Sequence, residues 1–184
     1  MTDKESLYFL RTSVEHKTTL RRRDKEITDK AEIEEILAQT RVGRLGTCLD
    51  GIPYIIPVNF VHDSGKIFFH SAHEGRKVTN ITANPNVCFE VDEVGDVIAR
   101  EPICRSSTTY RSVIASGQAR QVSETNAKLH ALRKMAEKYA PNLSHDAITE
   151  ATMKAVTVFE IEIKDICAKR SPVRPGPVTD VSRK

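Results

Sequence analysis

A chain of 184 residues with 39% hydrophobic and 29% charged side chains is too apolar to be a disordered polymer. It is long enough to bury roughly 70% of its unfolded surface without the help of disulfides. Its formal net charge of +3 is too small to mark a nucleic-acid partner, whose footprint is a clustered basic patch, and no apolar run approaches the roughly 20 residues that span a bilayer.

The opening residues MTDKESLYFL lack the apolar core of a secretory leader. The four cysteines, Cys48, Cys88, Cys104 and Cys167, are scattered with no C-x-x-C pair, so they read as reduced thiols in a cytoplasmic protein. Residues 1–26 form a polar, basic arm, with Arg21, Arg22 and Arg23 as its only cluster. A solvated leader is the first reading of it, and an arm that contacts a partner is the second. No aromatic residue sits between the arginines to stack on bases.

A helix is expected over 28–40, with Thr28 or Asp29 as its cap and Ile33, Ile36 and Leu37 on its buried face. The run 42–49 reads as a strand. Asp50-Gly51 then signals a hairpin, and the next strand, 52–61, carries Pro53 and Pro57. Proline donates no ladder bond, so this strand belongs at an edge or is broken near Pro57. Such a break leaves backbone groups around Val58, Asn59 and Phe60 for the edge of a planar ligand. After His62-Asp63-Ser64-Gly65 a third strand covers 66–71, and a helix containing Val78 and Ile81 follows and stops at Asn84-Pro85.

Alternation of Val87, Phe89 and Val91 with Cys88, Glu90 and Asp92 gives a strand over 86–94. A polar connection over 95–106 leads to a strand over 108–122, bulged at Gly117. Ser123 is expected to cap a long helix to Tyr139, stopped by Pro141, and Ser144 to cap a short one through Ala151. The last strand covers 156–164, and residues 167–184 form a basic, proline-rich tail with little regular structure. Residues 27–166 thus make one mainly β domain with flanking helices. Its strands are antiparallel because the turns are tight, and it closes into a barrel that hides its edges.

The loop HSAHEGRK at 70–77 carries the sharpest chemistry. Gly75, Arg76 and Lys77 open a helix, where free amides and the positive helix end favour an anion. Ser71 offers a hydroxyl, Arg76 a planar fork and Lys77 a compact charge, a set matched to a phosphate monoester. The competing reading is two solvated helix residues. His62, His70 and His73 do not complete a metal-ligand spacing with the nearby carboxylates, so no metal is expected. The absence of G-x-S-x-G, Walker and G-x-G-x-x-G patterns removes the common hydrolase, P-loop and Rossmann readings.

In order and spacing, RVGRLGT, DGIPYIIPVNF, KIFFHSAHEGRK, NPNVCFEVD and YRSVIASGQAR resemble the FMN-binding split-barrel family related to pyridoxamine 5′-phosphate oxidase, in its nitroimidazole-resistance branch. The resemblance covers about residues 22–165. It implies a six-stranded antiparallel split barrel, homodimeric, with FMN at the subunit interface. The ring would lie beside Pro57, Val58, Asn59 and Phe60, with His70 near it, and Ser71, Gly75, Arg76 and Lys77 would hold the phosphate. Tyr110, Arg111, Ser112 and Val113 would approach from a central strand or from the partner chain; the alternative for Arg111 is a surface strand residue. The oxidases proper carry a C-terminal R-L-x-P segment that KRSPVRPGPV does not match, so pyridoxamine phosphate oxidation is not implied. The function expected is an FMN-dependent oxidoreductase with a small, possibly nitroaromatic, electron acceptor. The alternatives are a protein that holds FMN without turnover, and an interaction module whose barrel is a scaffold.

Overall fold

A computed structural model describes residues 20–144 and 148–171. Two tight turns organise its first half. Asp50 and Gly51 have φ of 53° and 75°, and Ser64 and Gly65 have φ of 51° and 75°, so in each turn two successive residues adopt the left-handed conformation that suits the twist of a two-residue hairpin. The first joins β1 (Gly43–Leu49) to β2 (Ile52–Val58), and the second joins β3 (Phe60–Asp63) to β4 (Lys66–Ser71).

Only Asn59 separates β2 from β3, yet the two halves serve different neighbours. β2 pairs antiparallel with β1, Leu49 opposite Ile52 and Gly43 opposite Val58; β3 pairs with β4, Phe60 opposite Phe69. With β5 (Asn86–Ile98), β6 (Ser107–Gln121) and β7 (Thr157–Arg170), the order is β2-β1-β5-β6-β7-β4-β3. The run 52–63 therefore supplies both ends of one sheet and closes it into a barrel. Seven strands are present; counted as one bent strand, β2 and β3 restore the six of the split barrel. The break lies two residues beyond Pro57, in agreement with the proline argument.

The interior is aromatic. Phe60 and Phe89 meet edge to face at 4.8 Å, and Phe69 stacks on Phe159 at 5.2 Å, with Leu45, Ile67, Val91 and Ile161 fully buried around them. Gly43 makes room for Phe89: a Cβ there would lie 2.0 Å from the ring.

Helices cover the barrel where strands leave it. α1 (Lys30–Gln39) starts at Asp29, whose carboxylate accepts from the Ala31 N–H at 3.0 Å, and buries Ile36 and Leu37. α2 (Arg76–Ala83) follows β4, and α3 (Thr125–Tyr139) lies on the outer side of β3, β4 and β7. α3 is capped by Glu124, whose two carboxylate oxygens accept from Asn126 and Ala127, in place of the expected Ser123. α4 (Glu150–Lys154) is capped by Thr149, whose hydroxyl accepts from the Thr152 N–H at 3.3 Å; residues 145–147, where a first turn capped by Ser144 is expected, lie outside the described residues.

Three further boundaries differ. β5 and β6 extend into the polar connection, to Ile98 and from Ser107, across an irregularity between Val94 and Val97. β7 continues beyond 164 to Arg170, since Cys167 and Ala168 find buried places beside β6. At the other end Leu20 and Ile27 are buried, and the Ile27 N–H donates to the Ala168 carbonyl at 3.0 Å. Residues 1–19 and 172–184, most of the expected arm and tail, lie outside the described residues.

Gly117 sits at the register shift between Ser116 and Gly117 where β6 meets β7, as its position in the sequence implied. A Cβ there would lie 2.2 Å from the backbone oxygen of Glu162, an atom that cannot swing aside. Gly117→Ala is expected to lower the unfolding free energy by about 1–3 kcal/mol, measured by urea titration.

Candidate functional site

β4 delivers its last residues to one end of the barrel. Ser71 is buried, and its hydroxyl donates to the Ala72 carbonyl at 2.7 Å, a bond it must give up before donating to any ligand. His73 then pins the loop. Its Nε2 donates to the Lys154 carbonyl at 2.9 Å, and its Nδ1 lies 2.8 Å from the Thr157 hydroxyl. Gly75, at φ 125°, turns the chain into α2 without a side-chain cap, and such a backbone angle is open to few residues other than glycine.

α2 is clamped to β1 by two amides. Asn80 Nδ2 donates to the Thr47 hydroxyl at 2.9 Å, and Asn84 Nδ2 to the Cys48 carbonyl at 2.9 Å. The first turn is thereby fixed, with the Arg76 guanidinium 4.5 Å from the centre of the Tyr54 ring and Lys77 Nζ 6.0 Å from that of Phe69. Burial pushes the Lys77 ammonium below its ordinary pKa. Among the described residues neither cation has a carboxylate partner, whereas Arg44, Arg111, Arg120 and Arg170 are all ion-paired. An uncapped helix start with two uncompensated cations fits a dianionic phosphate.

The break at Asn59 is stabilised from α3. The Tyr139 hydroxyl accepts the Phe60 N–H at 2.8 Å and lies 2.7 Å from the Arg41 carbonyl and 2.8 Å from that of Phe60. Its single proton serves one of those carbonyls. The expectation that Phe60 keeps free backbone groups for a ligand is thus corrected: the hydroxyl has taken its N–H. Asn59 Nδ2 also donates to the Arg41 carbonyl, at 3.2 Å. Nearby, Lys138 Nζ donates to the Leu37 carbonyl at 3.0 Å and lies 3.9 Å from the Phe60 ring centre. Desolvation and the Arg41 cation bring its pKa down to about 8.

Between α3, the start of β7 and this break lies a cavity of about 450 Å³, whose walls include Asn59, His70, Leu132, Met135, Tyr139 and Val156. His70 Nδ1 is 3.3 Å from the Met135 sulfur. Burial, and secondarily the Lys77 cation, hold the imidazole below its usual pKa, so it is neutral at neutral pH. Asn59, His70 and the 71–77 loop are thus neighbours around one end of the barrel.

The three β6 residues are placed differently. Arg111 is held by Glu93 at 2.7 Å and Glu35 at 3.3 Å, beneath α1. Ser112 pairs with Asp92 and Lys169 across the sheet, and Val113 is buried in the core between Val91 and Ala168. None of their described hydrogen bonds or ion pairs reaches the loop within this chain. Among the described residues no cluster of His, Cys, Asp and Glu could hold a metal, and no helix is long and apolar enough to cross a membrane.

A family model described as pyridoxamine 5′-phosphate oxidase matches residues 29–170. The chain belongs to the pyridoxamine 5′-phosphate oxidase family. Its barrel superposes on that of a proposed 5-nitroimidazole antibiotic resistance protein from Bacteroides thetaiotaomicron with a TM-score of 0.70, at 25% identity over 79% of this chain and 86% of the other. The flavocytochrome Anf3 from Azotobacter vinelandii gives 0.75 at 20% identity, over 91% and 77%. An FAD and heme binding protein from Mycobacterium smegmatis gives 0.73 at 20%, over 83% and 76%. An uncharacterized protein of Rhizobium meliloti is 23% identical over 104 residues, 56% of this chain, and the chain spans 62% of that relative's length.

Sequence reasoning missed Tyr139, Met135 and His73, and Tyr139 was legible only as an apolar face position of its helix. Their roles rest on contacts across 79, 65 and 84 positions, for which no local pattern exists. In this member of the pyridoxamine 5′-phosphate oxidase family, His70 should titrate below the ordinary 6.5. Because its folded pKa is lowered, the unfolded chain binds more protons as the pH falls through 6.5, and the stability that the neutral ring contributes is lost there. Lys77→Met should move the His70 midpoint upward by removing the cation, as followed by NMR of the ring protons; an unchanged midpoint would remove the electrostatic link.

Proposed function

We propose that the chain is a flavoprotein that binds FMN and acts as an oxidoreductase, passing electrons from the flavin to a small acceptor. The observation that carries this reading is the uncapped start of α2, with Arg76 and Lys77 lacking carboxylate partners, beside a cavity of the size that holds a small organic ligand. Gly75, Arg76 and Lys77 bind the phosphate, and Ser71 joins them once its hydroxyl turns from Ala72. Pro57, Val58 and Asn59 orient the ring, with Tyr139 fixing their backbone from behind, and Phe60 contributes its buried side chain to the floor. His70, held neutral, stands at the ring without adding charge.

When bound, the flavin supplies reversible two-electron transfer. The chain's part is to hold and orient it and to keep water from one side. The likeness to the Bacteroides protein brings a nitroaromatic acceptor into view, but the chemistry of the cavity favours a molecule with a hydrogen-bond donor in its place. Flavin binding is supported by the names of the Azotobacter and Mycobacterium relatives.

The protein acts as a homodimer. Ile55 and Val94 are 67% and 70% exposed and give a partner an apolar face. Arg111 and Ser112 belong to the cofactor site through the partner chain, and Val113, whose side chain is in the core, through its backbone alone. The four free thiols suit the cytoplasm.

Purified protein should be yellow, with flavin absorption, and a colourless protein that takes up no added FMN would sink the proposal. Lys77→Ala should weaken FMN about 10- to 100-fold, the worth of a charge-assisted hydrogen bond, and leave riboflavin nearly unaffected in fluorescence-quenching titrations. Equal losses for the two ligands would refute the phosphate role of Lys77.

A further inference from the structure

The cavity beneath α3 differs in character from the phosphate loop: among the described residues no Arg, Lys, Asp or Glu side chain lines it. Charged groups inside a largely apolar wall would go unpaired, so a charged ligand loses its hydration there without compensation. The polar atoms that do line it narrow the ligand further. Tyr139 spends its proton on a backbone carbonyl and accepts the Phe60 N–H. Asn59 commits one amide hydrogen to the Arg41 carbonyl, and the Thr152 hydroxyl donates to the Thr149 carbonyl at 2.8 Å. The donors are therefore largely used.

Two acceptors remain. Asn59 Oδ1 is one, since its amide nitrogen is the atom turned to Arg41. The second follows from the contact of His70 with Met135. A thioether sulfur presents lone pairs and no proton, so the ring nitrogen 3.3 Å from it is the one that carries hydrogen in a neutral imidazole. Met135 thereby assigns the proton of His70 to Nδ1 and leaves Nε2 with a free lone pair. No described hydrogen bond uses that lone pair.

We propose that this cavity is the substrate site, and that its occupant is an uncharged aromatic molecule presenting an O–H or N–H donor to one of the two acceptors, His70 Nε2 or Asn59 Oδ1. Met135 is a positioning residue that acts through the tautomer of His70. A phenol or an N–H heteroaromatic ring is the class that fits. A nitro group or a carboxylate brings only acceptors to a wall of acceptors, and a phosphate ester brings charge as well. The inference rests on the flavin reading for the role of the occupant, not for its chemistry.

The test uses 2-naphthol, 2-methoxynaphthalene, 2-nitronaphthalene and 2-naphthoate as calorimetric probes on the flavin-loaded protein, with flavin content measured independently from the visible spectrum. 2-Naphthol should bind with one-to-one stoichiometry and about 10-fold more tightly than its methyl ether or the nitro compound, the worth of one hydrogen bond. 2-Naphthoate should not bind. His70→Phe should erase the preference for naphthol over the ether while keeping the ether's affinity, and Met135→Leu, which keeps the volume, should reduce the preference several-fold. Equal affinity for naphthol and ether, or binding of naphthoate, overturns the ligand class. Displacement of naphthol by FMN from flavin-stripped protein overturns the substrate role by making the cavity part of the cofactor site. If the protein takes up no flavin, the flavin reading fails on its own, and the naphthol-to-ether ratio still decides the ligand chemistry.

Discussion

The hydroxyl of Tyr139 holds the point on which the barrel depends. One extended run, residues 52–63, must pair with β1 at one end of the sheet and with β4 at the other, and it can do so only by breaking its ladder. A broken ladder leaves backbone polar groups that cost free energy if buried without partners. Tyr139 answers the Phe60 N–H and gives its proton to one of two nearby carbonyls, so the C-terminal turn of α3 is fastened where the barrel closes. Packing of Ala131 and Met135 and closure of the sheet are therefore one event. Asn59 is exposed on the cavity side because the chain around it is held from within.

Charge is distributed with the same economy. Arg44 pairs with Glu90 and Asp92, Arg111 with Glu35 and Glu93, Arg120 with Glu160 and Arg170 with Glu32. These pairs join neighbouring strands, or strand and helix. At the start of α2 the pattern stops: Gly75 admits no cap, and Arg76 and Lys77 lie over aromatic rings. Rings attract cations through their quadrupole but do not neutralise them, so a positive potential persists at this spot. The same potential reaches His70 and helps keep it neutral.

Much of this was legible in the residues because it is local. Asp50-Gly51 and Ser64-Gly65 dictate their turns through backbone angle, Pro57 announces the break, and Gly75 announces the uncapped start of α2. Gly117 marks its bulge. What was not legible depends on register between distant segments. Arg111 and Lys77 look alike in sequence as cations near strand ends, and only the pairing of β5 with β6 and the packing of α1 put carboxylates beside Arg111. Ser123 precedes its helix as a good cap should, but Glu124 lies at the position from which a side chain reaches two free amides. Ser71 reads as a hydroxyl donor, yet the turn out of β4 supplies Ala72 as a nearer acceptor.

His73 joins the two parts of the site into one frame. It bonds with both ring nitrogens, to the Lys154 carbonyl at the end of α4 and to the Thr157 hydroxyl at the start of β7. Thr152 of α4 and Val156 beside Thr157 are walls of the cavity. The loop that bears Gly75 and the wall that bears Thr152 are thus tied by a side chain with no rotamer to spare.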